Sequence, residues 1–446
     1  MEVVMGTRFT ALLPGFFRGL LLLYLSAIPV VHAMPVIQHW VTDNGVRVYF
    51  VPAPELPMVD INVTFAAGSV RDDGSPGLAS MTSTLLDMGA AGLSADEIAT
   101  RIESLGAELS TGAAREMATV SLRSLSDGAH LEPALDILAD VINRPNFDKK
   151  DLERERERKL VAIRRSEQSP SSVAGYRFFE AVYGDHPYGH RVSGTEESVK
   201  ALELDAIKTF YKRYYVARNA VVAIVGDLDR KAATALVKQI TGTLPAGKRA
   251  AALPPVPALK QAEEDRILHP STQTHVRMGA PGMHRGDADY FPLYVGNHVL
   301  GGGGLVSRLH KEVREQRGLS YSVNSYFSPM EQDGPYKLSL QTRNDQLDET
   351  LAVMRKTLQD FVDKGPTAAE LLAAQKNITG GFPLRIASNS GIISYLNMIG
   401  FYDLPLDYLD TFNGKVTAVT QQQVIDAFQR RVSPETMVTI IVGGED

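Results

Sequence analysis

Two hydrophobic periods alternate along the chain. Residues 46–52, 59–66, 117–122 and 220–225 alternate apolar and polar side chains and predict short half-buried strands. Residues 78–86, 95–105, 131–142, 149–167 and 174–182 space their apolar side chains at the helical period and predict long helices. Strand pairs joined by turns outnumber strand–helix–strand units. The pattern therefore predicts an α+β fold of antiparallel-rich sheets covered by helices on one face. Arg154 to Arg158 alternates in sign (RERER) and reads as a solvated helix face.

The pattern also repeats. Val120-Ser121-Leu122 returns as Leu338-Ser339-Leu340, and Asp185-His186-Pro187 returns as Asp403-Leu404-Pro405. Ile224-Val225-Gly226 returns as Ile441-Val442-Gly443, so every anchor recurs at an offset of about 218 residues. The segment 244–258 (LPAGKRAAALPPVPA) is rich in proline, alanine and glycine, and its prolines favour extended geometry over helix. These observations predict an internal duplication, with similar units at 34–243 and 262–446 joined by a linker at 244–261.

Composition narrows the class. The 446 residues are 44% hydrophobic and 22% charged, which are globular proportions and exclude a disordered tail, a collagen or a polytopic membrane protein. A net charge of −6 offers no basic field for nucleic acid. There is no cysteine, which excludes disulfides, thiolate nucleophiles, cysteine-bound zinc, iron–sulfur clusters and a cysteine lipid anchor. Residues 1–33 stand apart: Arg8 and Arg18, then an apolar run at 19–31, then Val31-His32-Ala33. That is the anatomy of a cleaved signal peptide, and the run is short of the ~20 residues a membrane span needs. The expected location is a bacterial periplasm, with no integral membrane span in the mature chain.

Several chemistries lack their motifs. There is no G-x-S-x-G elbow, no H-E-x-x-H or H-x-x-E-H, and no G-x-x-x-x-G-K-[ST] loop. His186 and His190 are four apart but lie in Asp-His-Pro-Tyr-Gly-His, which turns rather than coils. Asp287 and Asp289 flank Ala288 at a spacing too common to count. The glycine run 301–304 fits an anion cradle, or a loop needing positive φ or close backbone approach. Residues 305–317 predict a helix with Leu305, Leu309 and Val313 on one stripe and Gly318 beyond its end. On periodicity, Arg314 is a solvated cation near the helix C-terminus. Residues 319–327 predict a strand in which Tyr321, Val323, Ser325 and Phe327 share a face, so Tyr321 reads as a packing tyrosine.

Taken in order, these segments resemble a known family. GGGGLVSRLHKEVREQRGLSYSV, from Gly301 to Val323, resembles the second-domain segment of pitrilysin-type zinc peptidases, including mitochondrial processing peptidases. Pro76-Gly77-Leu78-Ala79 resembles the start of that family's metal helix, and YGDHPYGHRVSGTEE (from Tyr183) and YKRYYVARNAVVAIVGD (from Tyr211) follow at matching places. The resemblance spans essentially the whole mature chain and its duplication. The chain departs from the family at the metal. Where the family carries H-x-x-E-H, this sequence has Ser80, Ser83 and Thr84, and the region of the third ligand, near 160–162, reads Leu-Val-Ala. A trio of neutral hydroxyls is a poor zinc site. The resemblance implies a metal-free subunit with its degenerate metal positions facing an open groove.

The second half keeps what the family uses opposite the metal. There, an arginine and a tyrosine seven residues apart bind substrate and stabilise the tetrahedral intermediate; Arg314 and Tyr321 match in type, spacing and context (REQRGLSY). The resemblance therefore implies no cofactor in this chain and zinc in a partner. It implies a homologous zinc-motif subunit forming a heterodimer, extended peptides as substrates, and Arg314 and Tyr321 acting in trans. Two other readings stay open: a purely structural subunit, and a peptide-binding, chaperone-like module.

Overall fold

In the computed structural model, residues 34–444 are described; the expected signal segment, 1–33, lies outside them. The strands, in chain order, are β1 (Gln38–Val41), β2 (Arg47–Pro52), β3 (Met58–Phe65), the short hairpin β4 (Gly89–Ala90) and β5 (Leu93–Ser94), β6 (Glu108–Ala113), β7 (Ala118–Leu125) and β8 (Ala220–Gly226). The second half adds β9 (Glu263–Ile267), β10 (Gln273–Met283), β11 (Val323–Phe327), β12 (Gly334–Arg343) and β13 (Val438–Val442). They build one sheet ordered β1-β2-β8-β3-β7-β6 and a second ordered β9-β13-β10-β12-β11. Without β1 the two orders are the same, each antiparallel except for one parallel pair, β2 with β8 and β9 with β13.

The duplication holds at the level of register. Ile61 on β3 is flanked by Leu122 and Ile224, and Val276 on β10 is flanked by Leu340 and Ile441. The repeated tripeptides of the sequence thus occupy the same places beside the same central strand.

The two halves also exchange a helix. Helix Pro170–Tyr183 packs on β10 and β13 of the second sheet, and helix Asn389–Phe401 packs on β8, β3 and β2 of the first. Ala174, Phe178 and Val182, one helical stripe, share a core with Val438, Ile440 and Val442. In the reverse direction Gly400 meets the first sheet so closely that a Cβ there would lie 2.6 Å from both Tyr49 Cε2 and Val221 Cγ1. The exchange explains why β8 is buried at every position instead of alternating. Ala220, Val222 and Ile224 enter the first half's own core, and the helix from the other half covers the opposite face. Helices therefore cover both faces of the sheet centre, where one face was expected.

The segment after Leu244 has no regular structure but is pinned to both halves. Ala217 N–H donates to Pro245 O and His186 Nε2 bonds Pro254 O (2.8 and 2.9 Å). Leu253 N–H donates to Glu331 Oε1 at 2.9 Å, and its side chain joins the core around Phe178. Among the described residues no helix is long and apolar enough to cross a membrane.

Candidate functional site

Ser80, Ser83 and Thr84 lie on helix Leu78–Leu85. Gly77, at φ +93°, turns the chain into this helix. The buried Asp72 carboxylate caps it, accepting N–H bonds from Gly77 (2.8 Å) and Ala79 (2.7 Å). His190 Nε2 lies 3.3 Å from the same carboxylate and 2.7 Å from Ser69 O. With His186 held by Pro254 O, both histidines of the Asp-His-Pro-Tyr-Gly-His turn are structural. Burial pushes the Asp72 carboxyl above its ordinary range, against the hydrogen bonds that lower it.

Of the three degenerate positions, Ser80 and Thr84 are half-buried and Ser83 is buried. Lys159, on helix Lys149–Glu167, places its ammonium 2.6 Å from Ser80 Oγ. Thr84 turns its hydroxyl back along the helix to Ser80 O at 2.9 Å. Ser83 is fully buried; its Oγ and the buried Tyr215 hydroxyl lie side by side without hydrogen-bond geometry. Next to Lys159, the expected third-ligand region at 160–162 offers no side-chain donor: Leu160 is core and Val161 is exposed. Burial lowers the Lys159 pKa, and Asp72 and Glu155 oppose that shift.

Glu155 also corrects the expectation of a solvated face across Arg154 to Arg158. Glu155 is only 6% exposed, accepting from Arg154 Nε at 2.9 Å and Arg158 Nη1 at 3.0 Å. Asp87 lies close by. Burial first, and repulsion from Glu155 second, push its carboxyl up to about 6. The sequence signal for this cluster was a lysine and a glutamate one helical turn apart inside a charge run, where periodicity alone assigns both to water.

Zinc does not fit this donor set. The hydroxyls are neutral and already engaged or buried, and a fixed ammonium stands against the first ligand position, where a dication would be repelled.

In the second half the expected helix at 305–317 is shortened to 308–315 and π-wound over most of its length. A 3₁₀ turn, Gly304–Val306, is followed by a π-turn, His310–Glu315. Helix Tyr290–Asn297 runs on into a further π-turn, His298–Gly302, so Gly301 and Gly302 end one helix while Gly304 opens the 3₁₀ turn. At Gly301 the role is close approach: a Cβ there would lie 2.3 Å from Ser325 Oγ. The expected strand at 319–327 begins only at Val323. Ser320 Oγ bonds Gln341 O (2.6 Å) and Thr342 Oγ1 bonds Leu319 O (2.7 Å), so the loop before β11 is fixed by side chains. Tyr321 consequently does not pack across a strand; it projects outward, 80% exposed.

The π-turn brings Arg314 beside Tyr321. Arg314 Nη1 lies 3.0 Å from Nε2 of the buried His310, and its guanidinium carbon is 5.9 Å from the Tyr321 ring centroid. On the other side of the ring, His310 Nδ1 lies 3.5 Å from Glu315 Oε1. His310 is a positioning residue invisible to periodicity. By contrast Arg317 is occupied, donating to Glu312 O (2.7 Å) and Oε2 (2.8 Å). Arg314 and Tyr321 thus present a permanent cation and a free hydroxyl on one exposed ridge. Among the described residues no hydrogen bond or ion pair links this ridge to Ser80, Ser83 or Thr84.

An insulinase profile (peptidase family M16) matches residues 47–196, and a profile described as the peptidase M16 inactive domain matches 201–378. An uncharacterized zinc protease of Mycobacterium leprae is 30% identical, covering 79% of this chain and 80% of that protein. A non-peptidase homolog of Helicobacter pylori is 27% identical over 87% and 90%. A Pseudomonas fluorescens structure described as a peptidase M16 inactive domain superposes with a TM-score of 0.89 and 38% identity, covering 92% and 98%. The chain belongs to peptidase family M16, the pitrilysin-type family.

Proposed function

We propose that this chain is the non-zinc subunit of a heteromeric peptidase. It binds extended peptide and stabilises the tetrahedral intermediate in trans beside a homologous, zinc-bearing partner. The observation that carries the reading is the pairing of Arg314 with Tyr321 on an exposed ridge, while Lys159 engages the first metal position, Ser80, of the same chain. A purely structural subunit has no need to hold these two groups together, free of other carboxylate or hydroxyl partners. The names borne by the Pseudomonas fluorescens and Helicobacter pylori relatives agree with a chain inactive by itself.

In this account the partner supplies the metal and the base. Tyr321 O–H donates to the developing oxyanion; a donor of this kind contributes about 2.7–4 kcal/mol to kcat. The Arg314 guanidinium, oriented by His310, holds a substrate carbonyl or terminal carboxylate. Leu305 and Val306, just upstream, are 65% and 78% exposed and supply apolar surface for a docked chain. Mixing this chain with a zinc-motif homologue tests the reading: peptidase activity that neither chain has alone is expected, and no gain over the homologue alone contradicts it. Export to the periplasm belongs to the same proposal. Terminal sequencing of the chain from a periplasmic fraction should begin at Met34.

A further inference from the structure

Between the two halves lies a cavity of about 370 Å³. Its wall carries Arg47 and Arg71 from the first half, Arg249 from the connecting segment and Arg285 from the second half. The lining carboxylates are Asp403 and Glu331, and both are overcommitted. Arg47 and Arg249 share Asp403, with Arg249 Nη2 2.7 Å from Oδ2. Arg71 reaches Glu331 only at 3.6 Å, while the other Glu331 oxygen accepts from Leu253 N–H. Among the described residues Arg285 makes no ion pair; its guanidinium lies 5.4 Å from the Tyr402 ring centroid. The nearby Glu116 is already taken by the Tyr188 and Tyr402 hydroxyls and Glu331 N–H.

Three of these arginines, Arg47, Arg71 and Arg285, also have a buried Nε–H with no partner. Native structures rarely leave buried donors unpaired, and a guanidinium offers its Nε–H and Nη–H together as a fork for oxyanions. Like charges crowd the same space: burial, then Arg249, disfavours the charged form of Arg47. An anion in the cavity would relieve the repulsion and accept from the guanidinium N–H groups that face it. The volume suits a small molecule rather than a peptide strand.

We propose that this cavity is a binding site for a small multivalent oxyanion, presenting phosphate or carboxylate groups to the arginines of both halves. Neither Arg314 nor Tyr321 lines it, so the proposal stands apart from the catalytic reading. The test is calorimetric titration of the full chain with inorganic phosphate and, separately, succinate, at ionic strength held constant with sodium chloride. Saturable binding of at least one anion is expected, weakened tenfold or more by Arg285→Gln and by Arg249→Gln and unchanged by Arg317→Ala. Saturation by phosphate alone assigns a phosphate ligand, and by succinate alone a carboxylate. Absence of saturation by either, or wild-type binding in both glutamine variants, overturns the proposal. Should Arg285→Gln fail to fold, the exposed Arg249 variant decides by itself.

Discussion

The Lys159 ammonium is 2.6 Å from Ser80 Oγ and ties helix Lys149–Glu167 to helix Leu78–Leu85. One positive charge thus stands against Ser80, and the carboxylates around it, Asp72 and Glu155, favour that cation. Lys159→Met keeps the length of the side chain and removes the charge. Buried carboxylates then lose their counter-ion, and a loss of about 1–3 kcal/mol is expected in urea denaturation.

The same relationship predicts how the metal site responds to repair. Ser80→His, Ser83→Glu and Thr84→His restore the motif but leave the ammonium in place, so the triple variant should bind zinc weakly. Adding Lys159→Glu exchanges the repelling cation for a carboxylate. Zinc content after dialysis should then rise towards one per chain. Equal zinc in the triple and quadruple variants would show that Lys159 does not guard the site.

Asp87 ties stability to pH. Its carboxyl, pushed up to about 6, binds a proton more tightly in the folded chain than in the unfolded one. Its contribution is therefore fully present below the ordinary aspartate pKa of about 4 and is lost as pH rises through about 6. The loss is on the order of 3 kcal/mol. Asp87→Asn should flatten unfolding free energy across that window, and an unchanged slope would rule the residue out.

Exchange of helices predicts one cooperative unfolding transition. Phe178 is fully buried among residues of the second sheet, although it belongs to the first half of the sequence. Phe178→Ala should cost about 3–5 kcal/mol and lower a single transition seen by near-UV dichroism and calorimetry alike. Two separable transitions, with only one shifted, would contradict the exchange.

Much of this architecture was legible in the sequence, because period and repeat are backbone-level signals. Strands β2, β3, β7 and β8 and the helices to 183 lie within a few residues of their predicted bounds. The repeated tripeptides fall at equivalent registers. What periodicity missed has physical causes. The π-winding of His310–Glu315 leaves no mark in the apolar spacing, since Leu309 and Val313 are both buried as in an α-helix, so Arg314 reads from the sequence as a solvated end charge. Tyr321 kept a strand's alternation while hydrogen bonds from Ser320 and Thr342 fixed a loop. Lys159 and Glu155 sat within a charge run, where only the packing of two distant helices reveals which charges turn inward. The exchanged helices were invisible for the same reason: an amphipathic stripe does not say whose sheet it covers.

The most direct measurement of the central claim is the steady-state rate of the assembled complex carrying Tyr321→Phe. The change removes one exposed hydroxyl and leaves the packing of a fixed loop intact, so the complex should assemble as wild type. Loss of an oxyanion donor should lower kcat by about 10²–10³-fold with little change in KM. Arg314→Ala should alter both parameters, and Arg317→Ala, whose guanidinium is held by Glu312, should alter neither. Wild-type kcat for Tyr321→Phe in a complex shown to be assembled would contradict the account and leave this chain a structural subunit.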